Sequence, residues 1–324
     1  MRPEVSVVMA NYNGERYVAA AIDSVRAQTL AGWELLLVDD GSQDRSVAEA
    51  LRAAGDDNRI RIFCQRANGG PAAARNRALA EARGKWIAIF DSDDLMKRER
   101  LAALLARAEA DGAEIVADNI LTFSEQDCMA SPFLPATFAR RPRWIDLTQF
   151  MDPGGPYAPA PDLGYLKPMI SAELLRRARV RYDERLRIGE DYDLMARLLA
   201  SGARLRLEPT ANYFYRRHPH STSWRMKISD IEALIAADAR FVREMRALGP
   251  EERRALARRT ASLRTLLLYE RTMQMAKAGK LADAALACLG APRIWPLLTR
   301  PIRARARRLF GKTPIRARRM TAHA

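Results

Sequence analysis

Cysteine is scarce: Cys64, Cys128 and Cys288 are the only three in 324 residues, far apart and without CxxC spacing. A disulfide framework and a zinc site are both excluded, and the three are expected as reduced, buried thiols. Long apolar runs are also missing, since no window approaches eighteen consecutive apolar residues and the first ten lack the apolar segment of a secretory signal. Neither export nor a spanning helix is expected, which leaves the chain in the cytoplasm. No GxGxxG follows the first apolar run, and GxxxxGK followed by Ser or Thr occurs nowhere, so neither a dinucleotide fingerprint nor a Walker phosphate cradle is available. Acidic residues are absent from 291 to 324, where ten Arg or Lys stand and carry most of the +15 net charge. Basicity therefore belongs to an appendage and not to the body of the chain.

What remains is an ordinary globular composition, 48% hydrophobic and 29% charged, long enough for one large or two modest domains. Strand and helix patterns alternate along the front. The β-branched run Val5–Ala10 precedes Val18, Ile22 and Val25 at helical spacing within Arg16–Gln28. WELLLVDD leads into a helix that Ser42 should cap and Gly55 close. Arg59–Phe63 reads as a third strand, Pro71 and Gly84 bound the next helix, and KWIAIF is a fourth strand. A helix over Lys97–Glu109 and a fifth strand over Ala113–Asp118 complete the series. Such alternation predicts a mostly parallel sheet with helices on both faces and ligands at the carboxyl ends of its strands.

Three polar clusters fall at those ends: Asn11–Asn13, Asp39 with Asp40, and Asp91–Asp94. Carboxylates repel a diphosphate, but they hold a hard divalent cation that in turn binds phosphate oxygens. Asp91 and Asp93, two apart in DSDD, suit such a site from a tight turn; Asp93 and Asp94 suit the role of helix caps as well. Farther on, Glu190, Asp191 and Asp193 open a helical pattern in IGEDYDLMARLL, where they either complement a helix N-terminus or include a general base.

Taken in order and spacing, PEVSVVMANYNGERY, LLLVDDGSQDRS, NGGPAAARNRALAEARGKWIAIFDSDD and IGEDYDLMARLL resemble family 2 glycosyltransferases of the GT-A (nucleotide-diphospho-sugar transferase) fold. The resemblance spans roughly residues 3 to 225. It implies an α/β fold with a Rossmann-like, mostly parallel sheet, and an inverting, metal-dependent transfer of a sugar from a nucleotide donor, commonly UDP-linked, to a hydroxyl of a glycan or lipid-linked acceptor. It gathers Ala10 (proline in many members), Tyr12, Asn13, Asp39, Asp40 and Arg75 around the nucleotide. Tyr12 would lie against the base, Asp40 would accept from its N3–H, and Asp39 would lie near the ribose. Asp91 and Asp93 would serve Mn²⁺ or Mg²⁺, Asp93 directly and Asp91 on the ribose side, with Asp94 in support. Asp191 corresponds to the general base, with Glu190 its neighbour and rival, because a single displacement needs a carboxylate opposite the leaving group. His218 falls where similar enzymes carry a histidine able to close on the diphosphate or the metal, and Arg217 suits phosphate.

The implied organisation is a catalytic domain over 1–225 divided at 118, a helical extension over 226–290, and the basic tail. Ile228, Ile231, Leu234, Ile235, Phe241 and Val242 mark the extension by their 3.6-residue spacing. The Pro- and Gly-rich stretch within 119–167 should help form the acceptor site, with Trp144 and Tyr157 suited to packing more than to sugar stacking. Trp295, Leu297, Leu298, Leu309 and Phe310 lie between arginines in the tail, a mixture expected to hold a peripheral enzyme against an anionic membrane surface. A nucleic-acid-binding protein would account for the tail but not for an acidic crevice that repels phosphate, so no nucleic acid is expected. A sugar-nucleotide-forming nucleotidyltransferase would need a Gly-rich basic loop where NYNGERY stands.

Overall fold

A computed structural model describes residues 2–125, 127–135, 141–151, 162–218, 226–245 and 247–298, without the side chains of 127–129. Tyr157, the Cys128 side chain, Leu309 and Phe310 lie outside the described residues. The chain divides into two compact units, Met1–Leu263 and Arg264–Ala324.

The front of the first unit is built on parallel strands. β1 (Val5–Asn11) lies between β2 (Trp33–Asp39) and β4 (Trp86–Asp91), with β3 (Ile60–Cys64) outside β2. All of β2, and all of β1 except Ala10, is buried. The apolar stripes of α1 (Val18–Arg26), α2 (Ser46–Ala54) and α3 (Pro71–Glu81) share one core with these strands, which is why the strands read as continuous apolar runs. Register then sets the site: Asn11 pairs with Asp39 and Ala10 with Asp91, so the polar ends of three strands stand side by side. The second helix begins at Ser46 and not behind Ser42. Asp39 captures the Ser42 N–H at 2.9 Å and its hydroxyl at 2.6 Å, folding that segment into a turn.

Among the described residues the sheet has ten strands. After β5 (Leu95–Met96) and α4 (Arg100–Asp111), β6 (Ile115–Ser124) pairs with β7 (Asp127–Pro132) and runs parallel to β10 (Leu205–Arg216). β8 (Arg143–Ile145), α5 (Leu147–Met151), β9 (Met169–Ser171), α6 (Ala172–Ala178) and α7 (Glu190–Ala200) lie between them in sequence. β9 enters antiparallel between β4 and β6; its three residues are too few to show a period of two, so the sequence does not announce it. β10 extends past RLRLE and brings Tyr213 and Arg216 to the site. Trp144 packs instead at the amino-terminal end of β10, with the Arg204 and Arg206 guanidinium groups 4.6 and 5.1 Å from its ring centre. Cys64 is exposed at the end of the edge strand and Cys288 half-buried, so neither is the buried thiol expected.

Arg100 is fully buried and bonds Asp118 through Nε at 3.1 Å and Nη2 at 2.8 Å, while Nη2 also donates to the Lys167 carbonyl at 2.5 Å. One guanidinium thus ties α4, β6 and the segment entering β9. Arg100→Met should strand the Asp118 charge and destabilise the fold by about 3–5 kcal/mol; an unchanged urea midpoint would refute this.

α8 (Ile228–Glu244) and the start of α9 (Pro250–Lys277) belong to the first unit. Asp238 on α8 accepts from Arg259 and, at 2.7 Å, from the Thr260 hydroxyl, and the Arg259 guanidinium lies 3.7 Å from the Tyr192 ring centre on α7. The second unit contains the remainder of α9, α10 (Leu281–Leu289) and a short 3₁₀ turn, Pro292–Ile294. Among the described residues no single helix is long and apolar enough to cross a membrane.

Candidate active site

The turn after β4 presents its carboxylates close together. One oxygen from each of Asp91, Asp93 and Asp94 lies within 4.8 Å of the others. Their surroundings divide the roles. Asp94 is buried, accepting from the Tyr213 hydroxyl at 2.6 Å and the Arg216 N–H at 2.7 Å, and burial together with the neighbouring Asp93 and Asp91 charges pushes its carboxyl well above the usual range. It fastens the turn to β10. Asp93 keeps its side chain one-third exposed, with Oδ2 2.9 Å from His218 Nε2. Carboxylate oxygens crowded this closely fit a hard divalent cation. Asp93, with His218 beside it, is the most exposed of the three, and Asp94 is held behind.

Asp91 faces two cations. Its Oδ1 accepts from Arg75 Nη2 at 2.7 Å and its Oδ2 from Lys167 Nζ at 2.8 Å. Burial opposes ionisation there, but the Lys167 ammonium and the Arg75 guanidinium prevail and hold its carboxyl well below the usual range. The same two cations reach the start of α7. Arg75 Nη1 donates to Glu190 Oε1 at 2.5 Å, while Lys167 Nζ donates to Asp191 Oδ2 at 2.7 Å. Asp191 Oδ1 accepts from the Tyr182 hydroxyl at 3.0 Å. Burial, then the Asp191 charge, raises the Glu190 carboxyl against the pull of Arg75. For Lys167 burial disfavours the charge, yet Asp191 and Asp91 keep the ammonium protonated with a raised pKa. Two buried cations therefore join the carboxylate ending β4 to the pair opening α7, although these segments are some hundred residues apart in sequence.

The turn into α7 is held tightly. Gly189 has φ +77°, and a Cβ there would come within 2.7 Å of Leu234 Cδ2 on α8. Gly189→Ala combines left-handed strain with a clash and should shift Glu190 and Asp191. It is expected to destabilise by about 1–3 kcal/mol and to lower kcat more than donor affinity; unchanged kcat would contradict the positioning.

On the other side of β1, Asp39 accepts from Asn11 Nδ2 at 2.8 Å as well as from Ser42. Asp40 accepts from the Gly69 and Gly70 N–H groups, each at 2.7 Å, and from Gln65 Nε2 at 2.8 Å. Both carboxylates brace the loops that follow the front strands, and Asp40 uses three of its roughly four acceptor positions to do so. Tyr12 stands half exposed and Asn13, at φ 49°, accepts from the Gln43 N–H at 2.9 Å. Arg217 is exposed beyond β10 and its N–H donates to the Phe123 carbonyl at 2.8 Å. Arg216 lies closer in, its Nε donating to the Asp93 carbonyl at 2.8 Å.

The Glycosyl transferase family 2 model matches residues 6–128. The succinoglycan biosynthesis protein ExoO of Rhizobium meliloti is 37% identical over 310 residues, covering 96% of this chain and 88% of that protein. The chain belongs to glycosyltransferase family 2. A shorter match, 42% identity over 97 residues, covers 30% of this glycosyltransferase and 38% of the Escherichia coli UDP-Glc:alpha-D-GlcNAc-diphosphoundecaprenol beta-1,3-glucosyltransferase WfgD. Among solved structures, S. aureus TarS 1–349 in complex with UDP-GlcNAc superposes with a TM-score of 0.64 at 19% identity, over 80% of this chain and 72% of that one. The mannosyltransferase PcManGT of Pyrobaculum calidifontis in complex with GDP-Man and Mn²⁺ gives a TM-score of 0.58 at 20% identity, over 97% and 89%. At these identities the two structures establish the GT-A fold of this glycosyltransferase and nothing finer.

Sequence reasoning does not reach Lys167 or Tyr182. A lone lysine in YLKPMI is the one local signal, and nothing in its neighbours tells that it meets Asp91 and Asp191.

Proposed function

We propose that this glycosyltransferase performs a metal-dependent, inverting transfer from a nucleotide-sugar donor, UDP-linked, to a hydroxyl of a lipid-linked glycan in polysaccharide assembly. The observation that carries the reading is the shared ammonium: Lys167 stands 2.8 Å from the carboxylate of the donor-side turn and 2.7 Å from that of the α7 turn. The name of ExoO supports polysaccharide assembly and that of WfgD supports a UDP-sugar with a diphosphoundecaprenol-linked acceptor.

In this reading the nucleotide lies over the ends of β1 and β2. Its base rests on exposed Tyr12 between Ala10 and Asn13 and donates N3–H to the remaining acceptor position of Asp40, while Asp39 holds the ribose side of the loop. Asp93, with His218, holds the divalent cation, which when bound offsets charge on the departing diphosphate. Asp91 keeps Arg75 and Lys167 in place on the ribose side of that turn, and Arg217 reaches phosphate. The acceptor oxygen attacks the anomeric carbon as the bond to the diphosphate breaks, and Asp191 takes the proton. One displacement inverts the centre and releases UDP.

Asp93→Ala tests the donor side. Donor affinity in manganese should fall by more than about tenfold, since remaining carboxylates cannot offset phosphate charge without the cation. Undiminished UDP-sugar affinity by calorimetry would overturn the assignment, as would pyrophosphate in place of UDP among the products of the native chain.

A further inference from the structure

The proposed transfer uses none of the exposed leucines of the second unit. On α10, Leu281, Leu286 and Leu289 are each about 70% exposed, at 68%, 68% and 70%. At 3.6 residues per turn these three, with exposed Ala282 and Ala285, fall within an arc of about 140°. Ala284 is buried on the opposite side. Trp295 continues the apolar surface: its indole Nε1 donates to the Cys288 carbonyl at 2.8 Å, which fixes the ring against the end of α10 while half of it remains exposed. By contrast Ile294 and Leu297 are buried, so Leu297, expected from sequence to be an anchor, is a packing residue.

Charge says what covers this surface. Lys277 and Lys280 precede α10 and Arg293 follows it, and all three are exposed. From 277 to the end of the sequence twelve Lys or Arg stand against a single acid, Asp283. A second copy docking through the same face would bring two such cationic segments together, which is unfavourable. A nucleic acid would meet the charge but leave the leucines in water. An apolar helix face flanked in sequence by exposed cations and followed by a half-exposed indole instead matches the boundary of a bilayer carrying anionic headgroups.

We propose that α10 and Trp295 form a membrane-contact surface, α10 lying in the headgroup boundary of an anionic bilayer with Leu281, Leu286 and Leu289 toward the acyl chains. The basic residues around and beyond it supply attraction to the headgroups; the leucines supply insertion. This surface rests on the lipid-linked reading above, and vesicle binding itself is measured without donor or acceptor.

The full chain should co-sediment with vesicles of phosphatidylcholine mixed with phosphatidylglycerol, and far less with phosphatidylcholine alone. Leu286→Glu/Leu289→Glu should lower vesicle affinity by about tenfold or more while hydrolysis of UDP-sugar in manganese is unchanged. Brominated lipid should quench part of the emission of the native chain, and Trp295→Phe should lack that part. Native-like pelleting of the double variant, or identical quenching with and without Trp295, would overturn the proposal. So would a solution dimer that the double variant dissociates, with no vesicle binding by the native chain. Vesicle binding intact in a chain that transfers no sugar would leave this surface standing and refute the catalytic reading instead.

Discussion

Asp191→Asn should bind donor and metal as the native enzyme does and lose turnover by about 10² to 10⁴ fold, the usual worth of a positioned general base. The amide preserves shape and can still meet the Tyr182 hydroxyl and Lys167, the partners now at 3.0 and 2.7 Å, but it cannot take the acceptor proton. The informative control is Glu190→Gln. Glu190 has a raised pKa and one oxygen on Arg75, so it is a basic carboxyl one residue from the assigned base. If Glu190→Gln is crippled and Asp191→Asn turns over normally, the base is the glutamate, and Asp191 serves to hold Lys167. Single-turnover measurement with saturating donor separates this from a change in binding.

Lys167→Met should harm both stability and activity. The ammonium is the counter-charge common to Asp91 and Asp191, with its side chain 8% exposed, and removing one partner of a buried ion pair costs about 3–5 kcal/mol because the other charge is left uncompensated. The sign with pH is defined. Asp91 has a depressed carboxyl pKa in the folded state, so its contribution is present above the unfolded value of about 3.9 and is lost as pH falls through the lower folded value. Without Lys167 the folded value rises and the acid-induced loss should begin at higher pH. Chemical denaturation of native and variant chains across the acid range checks this; parallel pH profiles would mean that Arg75 alone balances Asp91. Lys167→Arg should recover stability more than turnover, since a fork spreads its donors where a point charge now meets two carboxylates.

Periodicity and composition were enough for the front of the fold. The apolar runs of β1, β2 and β4, buried on both faces, and the helix opened by Pro71 read directly from sequence, because burial on two faces leaves no alternative composition and proline at a first helical position is a local event. The carboxylate-rich ends of β2 and β4 were legible too, and they stand beside the end of β1 because parallel strands in register share one rim. Segments whose structure depends on distant partners were not legible: three-residue β9 exists because β4 and β6 leave a place between them, and Ser42 leaves its helix because Asp39 captures it. The order of motifs along the chain identified the family, and the sequence alone carried the choice of Asp93 and Asp191 as residues to test. Only the tertiary structure decided that Asp91 meets Arg75 and Lys167, that the same lysine reaches Asp191, and that α8 presses on Gly189. Coulombic pairing acts through space at a few ångströms, whereas a sequence records only separation along the chain.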